Sequence, residues 1–354
     1  MNAHYVHRPL HTIVPALFLV ALTALQQSPA QGHTVEKHLR NIRQLTSGGT
    51  NAEAYFSFDE QQLIFQSTRD PYHCDQIFTM NLDGTGQRLV STGKGRTTCA
   101  YFFPDGRRIL YASTHLAGDL CPPSPDKSKG YVWGVFHAYE IFTANPDGSD
   151  LRILTQSPGY DAEATISPVG NRIVFTSSRD GDLELYTMNL DGSNVTRVTH
   201  DTGYDGGANF SWDGKKIVYR GYHPQSRDEI AEYESLLAEQ LVRPTKMEVF
   251  ICDNDGSHRR QLTHTGSASF APIFHPDNKR IIFSSNMRDT TGQKRFFHLF
   301  LLNDDGSRLE QVTFDGHFNA FPMFTHDGKK LVFISDRNAK SRYEFNVFVA
   351  DWVD

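Results

Sequence analysis

Three short signals recur along this chain at nearly matching intervals, and their recurrence restricts the fold more than any other feature. The first is a turn pair, at Asp59-Glu60, Asp105-Gly106, Val169-Gly170, Asp213-Gly214, Asp277-Asn278 and Asp327-Gly328. The second is a tighter turn, at Asp83-Gly84, Asp147-Gly148, Asp191-Gly192, Asp255-Gly256 and Asp305-Gly306. The third is an aliphatic residue followed by a hydroxyl, at Leu45-Thr46, Val90-Ser91, Leu154-Thr155, Val198-Thr199, Leu262-Thr263 and Val312-Thr313. Three independent signals in step indicate an internal repeat. Its shortest unit, residues 162–200, holds four strand-like runs (164–167, 172–177, 183–189 and 195–199) separated by turn residues, which predicts a four-stranded antiparallel meander.

The two ends are out of phase. The segment RNIRQLT at residues 40–46 is a fourth strand with no preceding three, and NVFVADWV at residues 346–353 is a third strand with no fourth. Pairing these ends closes a ring of six blades, and closure protects sheet edges that would otherwise pair with other chains. The expected fold is therefore all-β, a six-bladed propeller of four-stranded antiparallel blades completed by an N-terminal strand. A β-solenoid is the second choice, disfavoured because its repeats are usually shorter.

The segments SPVGNRIVFTSSRDGDLELYTMNLDGSNVTRVT, SWDGKKIVYRG and HPDNKRIIFSSNMRD resemble the PD40, or TolB-type, propeller repeat. The resemblance spans residues 31–354 and implies the fold rather than one function. The repeat occurs in binding modules, in propellers of prolyl-oligopeptidase-type peptidases and in oligogalacturonate lyases. The N-terminal α/β domain of TolB itself is not expected here, which leaves a Tol-Pal role unsupported.

Residues 1–30 combine Arg8, an apolar run from Ile13 to Leu25 and the small residues Ser28-Pro29-Ala30, the pattern of a cleaved secretory signal. The expectation is a periplasmic or secreted single propeller over residues 31–354, a monomer with no transmembrane segment after cleavage. With 35 Lys and Arg against 41 Asp and Glu, and no basic cluster, nucleic acid is not an expected partner. Export makes a disulfide reasonable, and Cys121 is expected to pair with Cys74 or Cys99, leaving Cys252 free and buried.

Two units are about 20 residues longer than the rest, with insertions at 114–140 and 221–248, both between second and third strands. The second insertion predicts a helix. Ser226 and Glu229 form a capping box, acidic residues fill the first turn, Pro244 lies past the end, and Ile230, Tyr233, Leu237 and Leu241 mark an apolar stripe. The first insertion is proline-rich and carries Tyr131, Trp133 and Phe136, which suit a pocket wall or a cover for blade edges.

In a propeller the loops from second to third strand share one face with the loops between blades. After the second strand come Arg69, His115, Arg179, His223, Arg288 and Arg337, one per unit; ahead of first strands come Glu53, Asp161, Glu163, Asp205 and His317. These residues, with Tyr131 and Trp133, are the candidate ligand contacts at the channel mouth. The competing reading is that arginines and carboxylates pin adjacent blades, and His115, His223, His317 and Glu163 are singled out because they break the repeat.

No catalytic constellation is evident. There is no GxSxG, and the NxDGS turns end in His200, His264 or Phe314 where a calcium loop needs Glu. The leading expectation is a binding module, not an enzyme, for an envelope protein, a peptide or a glycan, with no cofactor. The alternative is a metal-assisted carbohydrate lyase or hydrolase of the oligogalacturonate-lyase type, in which His115, His137, His223 and His317 would supply a divalent-metal site although no HxH or HxxxH spacing supports one.

Overall fold

The computed structural model describes residues 35–354; the expected signal segment at residues 1–30 lies outside the described residues. Six four-stranded antiparallel sheets surround a central channel. Their innermost strands are Thr50–Phe56, Thr97–Phe102, Asp161–Ile166, Tyr204–Phe210, Ser269–Phe274 and Asn319–Phe324, and these define blades one to six. Blades one to five run outward in chain order. In blade six the outermost strand is Leu39–Gln44, which pairs antiparallel with the final strand, Asn346–Trp352. His38 secures this clasp, with one ring nitrogen 2.7 Å from the Val353 carbonyl and the other 2.8 Å from Glu310, and its ring stacked on Trp352.

Each recurring signal has a physical role. The hydroxyl that ends each fourth strand accepts from the first apolar residue's N–H in the third strand beside it. The pairs are Ser91 with Ile77, Thr155 with Ile141, Thr199 with Leu185, Thr263 with Val249, Thr313 with Leu299 and Thr46 with Val347, all at 2.8–3.0 Å. The hydroxyl satisfies an amide where the ladder ends, and such an amide left buried and unpaired is costly.

The Asp-Gly turns join blades. Gly192 has φ of +85°, a region glycine occupies without strain, and a Cβ there would lie 2.7 Å from the Leu154 carbonyl in blade two. Gly84, Gly148 and Gly256 meet Leu45, Val90 and Val198 in the same way at 2.2–2.5 Å. The turn therefore needs glycine both for its own geometry and because it is pressed against the outer strand of the neighbouring blade.

The insertions lie between Ile109–Ser113 and Glu140–Ala144 in blade two, and between Lys216–Tyr222 and Glu248–Asp253 in blade four. They pair with each other: Trp133–Gly134 and Leu241–Val242 form a two-stranded antiparallel ribbon. The helix of the second insertion, Arg227–Ala238, starts at the expected capping box of Ser226 and Glu229. Its buried face differs from the expected stripe. Tyr233 and Leu236 are buried, while Leu241 belongs to the ribbon, because the helix stops one turn earlier than the spacing suggested. Tyr233 is drawn inward by its hydroxyl, which donates to Asp182 and to the Gly203 carbonyl. The disulfide joins Cys74 to Cys121 and tethers the first insertion to blade one; Cys252 is free and buried, and Cys99 is free.

Candidate functional site

Every innermost strand carries a bulge at the same place. The register slips between Ala52 and Tyr55, Thr98 and Tyr101, Ala162 and Thr165, Gly206 and Asn209, Phe270 and Ile273, and Ala320 and Met323. The bulged residues, Glu53, Cys99, Glu163, Gly207, Ala271 and Phe321, all have φ between +48° and +57° and line one level of the channel. A bulge re-aims a side chain and frees its amide. The freed amides of Cys99, Gly207 and Phe321 bond to Gln66, Glu163 and Ser284 of the preceding blade.

Arg220, on the second strand of blade four, reaches this level through the space that Gly207 leaves. A Cβ on Gly207 would fall 2.4 Å from the guanidinium. Arg220 is 8 % exposed and pairs with Glu163 of blade three, while also donating to the Tyr204 hydroxyl at 2.8 Å. Glu163 further accepts from Tyr204, from Thr176 at 2.8 Å and from the Gly207 amide at 3.0 Å. Its charge is fully compensated.

Glu53 is not compensated in this way. No nitrogen or oxygen donor among the described residues bonds to its carboxylate, and its polar neighbour is the Cys99 thiol. Burial pushes its carboxyl up to about 7, with Glu163 and Asp75 acting in the same direction and Cys99 and Arg220 against it. Burial and the Glu53 charge likewise raise the Cys99 thiol well above its ordinary range, so it is a neutral thiol.

The channel has unlike ends. On the insertion side it is covered: the Trp133 ring lies 4.9 Å from Phe270 and 5.3 Å from the Arg220 guanidinium, and Phe270 stacks on Phe297. The polar level beneath spans about 360 Å³, part of it open to solvent. Beyond it the channel widens into a funnel of about 550 Å³, walled by Ile166, Ile273, Met323, Phe58 and Trp212, on the face of the turns between first and second strands. Tyr101 and Asn209 line both compartments and are bonded to each other at 3.1 Å. The mouth expected on the insertion face is thus roofed, and the wider opening is on the opposite face.

The expected ring of arginines and histidines does not converge on the axis. Arg69, Arg179 and Arg337 each stay within their own blade, donating to Ser67, Ser177 or Ser335 and to Asn51, Asp161 or Asn319, with the guanidinium over the aromatic rings of the second and third strands. His115 and His223 occupy this same slot in blades two and four. His115 lies 2.8 Å from Ser113 against Phe142, and His223 lies 2.9 Å from Asp205 against Phe250. Burial lowers the His115 pKa; burial also opposes charge on His223, but the bond to Asp205 prevails and raises it. These histidines substitute for an arginine rather than mark a ligand.

In blade five the slot falls to Met287, two residues after Ser285, so Arg288 is displaced to the surface. His317 and His137 are exposed, Tyr131 is exposed with its hydroxyl accepting from Trp133, and Asp205 is buried. Of the candidates, only Glu53 and Glu163 meet in the channel, with Trp133 above them. Arg220, Tyr55, Tyr101 and Trp212 also belong to the channel, as does Cys99, which the sequence marks only as a disulfide candidate. One signal was available: each bulged residue stands six positions before the first turn signal, as Glu53 does before Asp59 and Phe321 before Asp327.

A divalent metal does not fit this arrangement. Among the described residues no three His, Cys, Asp or Glu side chains are grouped to hold one, and the four histidines considered for that role are spread over blades two, four and six, two of them committed within a slot.

A six-bladed propeller with a roofed, polar-floored channel defines the class. Residues 137–238 match the PD40 family model, described as the TolB beta propeller domain. The putative TolB from Agrobacterium tumefaciens is 18 % identical with a TM-score of 0.59, the alignment covering 88 % of this chain and 97 % of that one. TolB from Acinetobacter baumannii is 19 % identical with a TM-score of 0.54, over 74 % of this chain and 54 % of that longer one. An oligogalacturonate lyase in complex with manganese is 12 % identical with a TM-score of 0.51, over 88 % and 93 %. At these identities the likeness is one of fold, that of the six-bladed propeller.

Proposed function

We propose that this protein is an exported binding module that takes a segment of a peptide, an envelope protein or a glycan into its central channel. The observation that carries the reading is the channel itself, roofed at one end and open at the other through an apolar funnel onto a polar floor. Concave, mostly apolar sites with few polar groups are the usual form of a ligand site. Export is supported by the signal-like residues 1–30 and by the Cys74–Cys121 disulfide, which persists in an oxidising compartment. A metal-assisted lyase finds no support in the placement of the histidines.

Trp212 is the probe. Its indole donates to the Phe274 carbonyl at 2.9 Å while its ring walls the funnel, so Trp212→Ala removes a wall together with one bond between blades, and the variant's fold is checked by circular dichroism before binding is read. Immobilised wild-type protein is expected to capture a partner from envelope extract that the Trp212→Ala variant loses. Equal capture by both, or turnover of an acidic oligosaccharide, overturns the reading.

A further inference from the structure

The bulge level of the channel carries an unequal charge account. Its six equivalent positions supply two carboxylates, Glu53 and Glu163, and no cation; the cation comes from the second strand of blade four, as Arg220, and is spent on Glu163 and Tyr204. Three buried carboxylates are ion-paired, Asp161 with Arg179, Asp205 with His223 and Glu184 with Arg197, and buried Glu248 accepts from Thr263 and from the Thr265 and Gly266 amides. Glu53, half-buried at the channel wall, has no such partner. An unpaired carboxylate facing a cavity is a defect in an empty protein and an asset to one that binds a cation.

The surroundings of Glu53 fit such a group. The Tyr55 and Tyr101 rings pack together at 4.6 Å centroid distance and line the polar level beside it. Their faces suit an alkyl stem or a cation. Below them lies the funnel of Ile166, Ile273, Met323 and Trp212. An anion aimed at Arg220 would face both glutamates, whereas a cation aimed at Glu53 restores neutrality.

We propose that the channel floor binds an ammonium or guanidinium group borne on an apolar stem, with Glu53 as its acceptor, as a lysine or arginine side chain of a peptide segment would present it. This rests on the channel-binding reading and names the ligand chemistry. The groups facing Glu53 are Cys99, Tyr55, Tyr101, Glu163, Asp75 and Arg220, and of these the thiol and the two tyrosine hydroxyls are held neutral by burial. Since the Glu53 carboxyl sits at about 7, a cation binds its ionised form and drives off a proton, so affinity rises with pH through that value.

The test is calorimetric titration with a blocked peptide holding one central lysine, its norleucine counterpart, and n-pentylammonium against n-pentanol. The lysine peptide is expected to bind at least about tenfold more tightly than the norleucine peptide near pH 8, a preference lost near pH 5.5 and in Glu53→Gln. A preference shown by the lysine peptide assigns the cation to a peptide side chain; one shown only by n-pentylammonium overturns the peptide source and keeps the ammonium site. If both peptides bind equally and Trp212→Ala abolishes both, the channel reading stands and the cation inference falls. If neither peptide nor amine binds and envelope capture is indifferent to Trp212→Ala, both fall. Retention of the lysine preference by Glu53→Gln also refutes the inference.

Discussion

Blades three and four share one scaffold, and of five equivalent positions four differ. Blade three has Asp161, Glu163, Thr176, Ser177 and Arg179; blade four has Asp205, Gly207, Arg220, Gly221 and His223. In blade three these side chains answer one another: Arg179 bonds Asp161 and Ser177, and Thr176 bonds Glu163. In blade four the cation has moved three residues back along the chain, from the slot to the channel wall. His223 takes its old place, and Asp205 keeps one buried oxygen without a partner. The two blades then complete each other through Arg220 and Glu163. The contrast teaches that a repeat can build a site by relocating one charge, with no change to the strands that carry it.

Three measurements would break or sharpen this contrast. The largest effect is expected from Arg220→Met, which strands the Glu163 carboxylate in the channel wall; a loss of about 3–5 kcal/mol in denaturant unfolding is anticipated. A loss below about 1 kcal/mol would mean the relocated charge does little to join the blades. Next comes Glu53→Gln, with the opposite sign. A carboxyl raised from 4.5 to about 7 is bound to its proton more tightly in the folded state, so its contribution is present below about 4.5 and is lost as pH rises through 7. The variant should therefore be more stable than wild type by about 1–3 kcal/mol near pH 8 and equal to it near pH 4. Glu140 and Glu184, also raised to about 7 by burial, soften both proteins over the same interval. Smallest are Thr199→Val and Thr263→Val, which remove the same hydroxyl from blades three and four; each should cost about 1 kcal/mol, and unequal costs would show that the shared scaffold is not equivalent.

What the sequence made legible is what repeats by chemical necessity. Asp-Gly turns, strand-ending hydroxyls and the out-of-phase ends each announce a backbone requirement, and these are enough for six blades and a clasp. The site resisted reading for the opposite reason. The bulge is a backbone event that tolerates Glu, Cys, Gly, Ala or Phe, so its residues share no letter, only a fixed distance from the next turn. Arg220 lies inside the apolar run KIVYRGY, where a lone arginine resembles a strand-edge residue, and the vacancy that admits it belongs to Gly207, thirteen positions earlier. The histidines misled because the arginine slot depends on stacking against Phe142 or Phe250, which an imidazole also satisfies. That the insertions pair with each other follows from their meeting from blades two and four, on either side of blade three, which single-segment patterning does not reveal.

The clasp has a consequence for how the molecule comes into being. Leu39–Gln44 is made well before its partner, Asn346–Trp352. Until Trp352 has emerged, the unfinished ring presents two open β-edges more than 300 residues apart along the chain, each a template for a stranger. Closure of the ring is thus gated by synthesis of that strand. At high concentration, two nascent copies could exchange their first strands and close each other's rings, yielding a swapped dimer whose subunits have the same internal structure as the monomer.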